Sequence, residues 1–158
     1  MKLRDENFLR DYIRSTIKEN RRISISCGIV VVKKFGNKWK PLALINGNKL
    51  DIPKGRIEKG ENTLETAIRE TYEESGISDL NFKWGIESIK IQNLVVYLAA
   101  TTQEPNILPN PVTGRTEHDF WSWMEWEDMI SRGSPKISHS IRWAKRKIQQ
   151  NNLLITNF

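Results

Sequence analysis

Residues 55–77 read GRIEKGENTLETAIRETYEESGI, and the spacing within this stretch decides the fold. Gly55 is followed after five residues by Glu61, and after seven more by Arg69-Glu70. Glu73-Glu74, Gly76 and Ile77 complete the pattern. Chance agreement at the seven fixed positions is on the order of 10⁻⁸ per window at ordinary residue frequencies. The spacing predicts a helix over 63–75, on which Glu70, Glu73 and Glu74 stand at i, i+3 and i+4 and share one face. Three carboxylates on one turn repel each other. A helix tolerates them when a positive charge sits between, and clustered hard oxygen donors suit Mg²⁺ or Mn²⁺.

The ends of this helix are also written in the sequence. Asn62 or Thr63 can serve as N-cap, and Asn62 with Glu65 has the outline of a capping box. Leu64, Ala67, Ile68 and Thr71 recur on a face away from the glutamates and are expected to pack on the core. Glu65 and Arg69 form an i, i+4 pair in the favourable order. Gly76 can take a left-handed conformation and stop the helix. Upstream, Asp51-Ile52-Pro53-Lys54-Gly55-Arg56 has the punctuation of a loop. A Glu-rich solvated helix would explain Glu73-Glu74 alone, but not the full spacing with its glycines and Arg-Glu pair.

The segment resembles the Nudix box, GX5EX7REUXEEXGU with U apolar. Every fixed position matches, and Thr71 at the first U position is the one departure. The resemblance implies an α/β fold, specifically an α/β/α sandwich with a mixed β-sheet, here flanked by N-terminal and C-terminal helices. It also implies divalent-cation-dependent hydrolysis of nucleoside diphosphates linked to another group. On that basis Glu70, Glu73 and Glu74 bind the metal, with the backbone carbonyl of Gly55 completing the coordination. Glu70 is the leading general base, because a carboxylate beside a cation can take a proton from water. Arg69 orients the carboxylates and Glu61 anchors Arg69. Lys54 can reach a phosphate, or it is an ordinary solvated loop lysine.

Glu117-His118-Asp119-Phe120-Trp121-Ser122-Trp123 is the second informative segment. In a strand, Glu117, Asp119, Trp121 and Trp123 share a face. It resembles the Glu-His…aromatic…Trp strand of the asymmetric diadenosine tetraphosphate hydrolases within the Nudix family. The resemblance gives Glu117 a part in the metal or base site and Trp121, in place of the usual Tyr, a part in stacking on adenine. Tryptophan stacks a base well, at ~1–3 kcal/mol in single-strand binders. His118 contacts substrate or is a hydrogen-bonded structural residue, and Trp123 reads as core.

A chain of 158 residues fits one domain, long enough to bury about two-thirds of its unfolded surface. Its 28% charged content and lack of any long apolar run argue against a membrane span, and the charged N-terminus lacks the core of a secretory signal. The single cysteine, Cys27, allows no internal disulfide and suits a reducing, cytoplasmic setting. The net charge of +6 favours polyanionic ligands, either polyphosphates or nucleic acid ends. The positive residues read as spread over both termini rather than as one aromatic-interleaved motif.

Residues 1–22 are expected to hold an amphipathic helix, with Leu9, Tyr12, Ile13 and Ile17 at helical spacing, ahead of a domain over 23–158. Strands are expected at Ser24–Lys33, Trp39–Ile45 and Leu50–Ile52, then Phe82–Ile91 and Val95–Thr101 as a hairpin. Asn46-Gly47-Asn48 marks a tight turn. Residues 104–116, with three prolines, form a loop near the substrate. A strand over His118–Trp126, a short helix over Trp126–Arg132 and a basic helix to about Gln150 follow. The leading functional reading is hydrolysis of a dinucleoside polyphosphate such as diadenosine tetraphosphate. An RNA 5′-end pyrophosphohydrolase, an ADP-ribose or sugar-nucleotide hydrolase and a non-catalytic nucleotide-binding module stay open, as does monomer against homodimer.

Overall fold

The computed structural model describes residues 10–14 and 24–156. Of the helix expected in residues 1–22, only 10–14 are described; they are helical and exposed, and the rest of that expectation lies outside the described residues. Seven strands form one mixed sheet: β1 (Ser26–Phe35), β2 (Lys38–Asn46), β3 (Lys49–Asp51), β4 (Lys54–Arg56), β5 (Ile89–Ile91), β6 (Leu94–Ala100) and β7 (Phe120–Trp123). The main path runs β3-β2-β1-β6-β5, with β4 paired to β1 and β7 to β2. Only β1 and β6 pair in parallel, from Ser26 opposite Leu94 to Val32 opposite Ala100. Among the described residues no helix is long and apolar enough to cross a membrane.

The two central strands are buried on both sides, so they read as continuous apolar runs. Alternation sends Cys27, Ile29, Val31, Val95, Tyr97 and Ala99 to one face, where Ala67 of α1 (Thr63–Ser75) closes the layer. Val30, Val32, Val96 and Leu98 face the other way, onto Met129 of α2 (Trp126–Arg132) and Ile137, Ile141, Ala144 and Ile148 of α3 (Pro135–Thr156). The result is the expected α/β/α sandwich with a mixed sheet.

The capping of α1 follows the sequence. Asn62 Oδ1 accepts a hydrogen bond from Glu65 N at 2.8 Å, and Asn62 Nδ2 donates to Glu65 Oε1 at 2.7 Å. Gly76, at φ 70°, ends the helix with its N–H on the Tyr72 carbonyl. The buried face differs from expectation. Ile68 is 39% exposed, while Thr66, Ala67, Thr71 and Ser75 are buried. Small hydroxyl residues can lie there because each returns its O–H to the helix: Thr71 to the Ala67 carbonyl at 2.7 Å and Ser75 to the Thr71 carbonyl at 2.5 Å. This accounts for Thr71 where the motif usually has an apolar residue.

Three boundaries also move. The strand expected from Phe82 begins only at Ile89, because Gly85 turns the chain at φ 97° with its N–H on the Phe82 carbonyl, and Trp84 packs on the α3-side core. The strand expected over His118–Trp126 is confined to Phe120–Trp123, its length of pairing with β2. The C-terminal helix runs to Thr156, beyond Gln150.

One close approach sets up the site. A Cβ at Gly28 would lie 2.5 Å from the Pro53 carbonyl oxygen, so only glycine lets the Pro53-Lys54 backbone come this near to β1. Gly55 then pairs with Cys27, directly beneath α1.

Candidate active site

The carboxylate face of α1 is organised by one arginine. Arg69 Nε donates to Glu61 Oε2 at 2.8 Å and Nη2 to Glu61 Oε1 at 3.0 Å, a two-point grip. Its Nη1 donates to Glu70 Oε1 at 2.8 Å and Glu73 Oε2 at 3.1 Å, and Nη2 reaches the Arg56 carbonyl at 3.0 Å. Glu61 is itself fixed by the Glu58 N–H and the Thr66 hydroxyl. Bonding to Arg69 holds the Glu61 carboxyl below the usual carboxylate range. The guanidinium therefore lies between the carboxylates and ties the helix to the preceding loop.

Gly55 meets Glu70 at close range. A Cβ there would stand 2.1 Å from Glu70 Cδ, so the absence of a side chain is what lets Glu70 lie over the β4 backbone. Lys54 N–H points at Glu74 Oε2 at 3.4 Å, and Lys54 Nζ pairs with Asp51 Oδ2 at 3.0 Å.

Glu117 and His118 arrive from the loop before β7. His118 is buried, with Nδ1 3.9 Å from Glu74 Oε2. One ligand atom each from Glu74, Glu117 and His118 lies within 4.8 Å of the others. Glu70, Glu73, Glu74, Glu117 and His118 line one cavity, roofed by Ile107, Leu108, Asn110 and Pro111. The proline-bearing loop, expected near the substrate, thus borders the carboxylates. Asn110 Nδ2 donates to Glu117 Oε1 at 3.2 Å, while Asn110 Oδ1 accepts from Val112 N at 2.8 Å.

The electrostatics fit a cation. Burial first, then the charges of Glu70, Glu117 and Asp51, push the Glu74 carboxyl up to about 9. Burial also raises Glu70, against the lowering effect of Arg69. Burial lowers His118, favouring neutral imidazole. Crowded, partly desolvated carboxylates joined by a backbone carbonyl form a hard oxygen donor set, and the glycine at residue 55 leaves room for it. Glu70, Glu73, Glu74, Glu117 and the Gly55 carbonyl are the residues that could hold a divalent ion.

Past His118 the site opens into a second cavity of about 590 Å³. Its lining includes Lys49, Lys54, Arg132 and Lys136, with Asp51 its one carboxylate, so it suits phosphate oxygens. Trp121 lines neither cavity. It is half-buried on β7, packed against the α1-side core and edge-to-face with Trp123 at 6.5 Å. Sequence reading passed over Asp51, Asn110, Arg132 and Lys136. Asp51 stood beside the Pro-Lys-Gly punctuation and could have been found; the others carry no local signal, because only the folded loop and the α2–α3 junction bring them here.

The Nudix-domain profile matches residues 21–144. The chain belongs to the Nudix family, and its fold and enzyme class are those of a Nudix hydrolase. It is 39% identical to an RNA pyrophosphohydrolase of Brucella anthropi, over 78% of this chain and 83% of that one. It is 34% identical to an asymmetrical bis(5′-nucleosyl)-tetraphosphatase of Mus musculus, over 65% of this chain and 80% of that one. Its fold is similar to that of a C. elegans Ap4A hydrolase in a binary complex, with a TM-score of 0.56 and 21% identity over 85% of this chain and 99% of that one. A Nudix hydrolase of Listeria monocytogenes gives a TM-score of 0.60 at 18% identity, over 80% and 95%.

Proposed function

We propose that this chain is a Mg²⁺-dependent pyrophosphohydrolase that cleaves a phosphoanhydride in a nucleotide-capped polyphosphate, foremost a dinucleoside polyphosphate such as diadenosine tetraphosphate. The observation that carries this reading is the junction at His118 of the carboxylate cavity with the basic 590 Å³ cavity. A polyphosphate laid across that junction has its scissile bond at the carboxylates and its flanking phosphates among Lys54, Lys49, Arg132 and Lys136. Glu70, Glu73, Glu74, Glu117 and the Gly55 carbonyl would hold Mg²⁺, or Mn²⁺ in its place, which would supply charge neutralisation at the phosphate oxygens. Glu70 accepts the proton of the attacking water, its burial keeping it a stronger base than an exposed glutamate. Arg69 holds Glu70 and Glu73 in place, and Glu117 closes the opposite wall. Ile107, Leu108 and Pro111 place apolar surface beside the carboxylates. The buried, unpaired Cys27 suits a cytoplasmic setting.

A base-stacking role for Trp121 belongs to the same reading and requires the outer nucleoside to extend along β7. Trp121→Ala then raises KM for adenine nucleotides; an unchanged KM removes the role.

A second reading, cleavage at a 5′-triphosphorylated RNA end, is favoured by the relative named RNA pyrophosphohydrolase and by the absence of Phe, Tyr and Trp among the described residues lining the basic cavity. Product analysis decides between them. The protein with Mg²⁺ is given diadenosine tetraphosphate, ADP-ribose and a 5′-triphosphorylated short RNA, with Glu70→Gln alongside. Conversion of the tetraphosphate to ATP and AMP, lost in Glu70→Gln, is the expected result. Preferential consumption of the RNA or of ADP-ribose would move the substrate class, and turnover of none would overturn the enzymatic reading.

A further inference from the structure

The segment Lys33-Lys34-Phe35-Gly36-Asn37-Lys38-Trp39-Lys40 alternates bases with aromatic rings, and the fold turns it into the β1–β2 hairpin. Gly36, at φ 60°, makes the two-residue turn, so Phe35 pairs with Lys38, Lys34 with Trp39 and Lys33 with Lys40. The chain thus does gather an aromatic-interleaved basic patch, where the sequence alone reads the positive residues as spread over both termini rather than as one such motif. The missing partner was distant: Lys83-Trp84 folds against the same hairpin.

On one face of the hairpin, Trp39 and Trp84 meet edge-to-face at 5.0 Å. Lys34 lies 5.7 Å and Lys83 5.1 Å from the Trp39 ring centroid, and Lys83 lies 5.3 Å from that of Trp84. Trp39, Lys34 and Lys83 border a cavity of about 400 Å³ completed by Lys33, Asp79, Asn81, Ala100, Thr101 and Thr102. Its one carboxylate is already engaged: Asp79 Oδ2 accepts from Thr102 Oγ1 at 2.7 Å and Thr102 N at 3.2 Å. Lys33 and Lys40 are paired with Glu104 and Glu125. Among the described residues, Lys34, Lys38 and Lys83 have no carboxylate partner, and all three are exposed.

We infer that this surface binds single-stranded nucleic acid, stacking a base on Trp39 and engaging backbone phosphates with Lys34 and Lys83. Cations without a carboxylate partner lying over a ring platform, with amide and hydroxyl groups at its edge, match the chemistry of a single strand, where a base can take the ammonium's place on the ring and the displaced lysine can reach a phosphate. An acidic peptide would use the lysines and leave the indole idle. The surface is separate from the hydrolytic site. It lies at the C-terminal ends of β1 and β6, whereas Ser26 and Leu94 at their other ends border the basic cleft, roughly 26 Å away along the strand. Its ligand is held and not cleaved.

The test is fluorescence anisotropy of a labelled 12-nucleotide RNA with a 5′-hydroxyl end, without Mg²⁺, so no turnover reading enters. Lys34→Glu/Lys83→Glu is expected to weaken binding at least 10-fold and to flatten the dependence of log Kd on log salt by about 1.4, two phosphate contacts at about 0.7 each. Trp39→Leu, which keeps an apolar side chain on the core, is expected to weaken it about 10-fold. An unchanged Kd in the double lysine variant, with an unchanged circular dichroism spectrum, would overturn the inference whether or not the tryptophan variant folds. So would competition by polyglutamate as effective as that of unlabelled RNA. Diadenosine tetraphosphate turnover in the lysine variant is expected to match the parent protein, and absence of turnover in both would bear on the hydrolytic reading alone.

Discussion

Glu70 lies over Gly55 so closely that its Cδ stands 2.1 Å from where a Cβ of residue 55 would be. A carboxylate on a helix and the backbone of a strand are thereby held in one small volume. Gly55→Ala must push Glu70 aside, and a displacement of about 1 Å at a reacting group costs about 10²-fold. The expected outcome is a drop of that order in kcat/KM with far-UV dichroism unchanged, read on whichever substrate the product analysis identifies.

Arg69 makes its contacts through the planar fork of a guanidinium, gripping Glu61 at two points and reaching Glu70, Glu73 and the Arg56 carbonyl. Lysine retains the charge and loses the fork. Arg69→Lys is expected to lower kcat by 10- to 100-fold, about 1.4–2.7 kcal/mol of barrier, and to weaken Mg²⁺ binding in a calorimetric titration. Equal kcat in the two proteins would assign the orientation of the carboxylates to other residues.

Glu74 gives the protein a pH dependence of stability. Its folded carboxyl is raised from an ordinary 4.5 to about 9, chiefly by burial. Between those values the native state holds a proton that the unfolded state has released, so stability falls as pH rises through the window and is fully present below it. The metal-free protein should therefore show a Tm that declines from pH 5 to 9, and Glu74→Gln should flatten that decline. Mg²⁺ should raise Tm most at the alkaline end, where the carboxylate is free to bind it.

Asn62 caps α1 with its side chain while lying on the exposed entry to the helix. Asn62→Ala should cost about 1 kcal/mol, a fall in Tm of roughly 2–4 °C for a chain of this size. The carboxylate geometry is set by Arg69 and Gly55, so activity below the transition should stay within about twofold. A large activity loss without loss of stability would show that the cap acts on the site directly.

Much of this was legible in the 55–77 segment because its requirements are local. The cap, the stop at Gly76 and the carboxylate spacing each depend on residues within a few positions of each other, and all appear as read. The misassigned features depended on distant partners. Ile68 fits the apolar periodicity yet remains exposed, while Thr66, Thr71 and Ser75, whose hydroxyls are hydrogen-bonded, are the buried residues. The strand expected at Phe82 keeps only its last three residues, the rest going to a turn and to the packing of Trp84 against Trp39. The basic wall formed by Arg132 and Lys136 needs the α2–α3 corner to be folded before it exists.

The parallel register of β1 with β6 has a consequence for how such a chain can vary. Removing one residue from the middle of β1 with its C-terminal half held in register would turn Cys27 and Ile29 to the opposite layer and carry Cys27 away from Gly55, dismantling the carboxylate site from a distance. Lengthening the turn at Gly36-Asn37 disturbs neither pairing, since a Cβ on Gly36 would have nothing within 4 Å. The hairpin tip is thus a place where length can drift over evolutionary time, while the opposite end of the same strand tolerates no insertion or deletion at all.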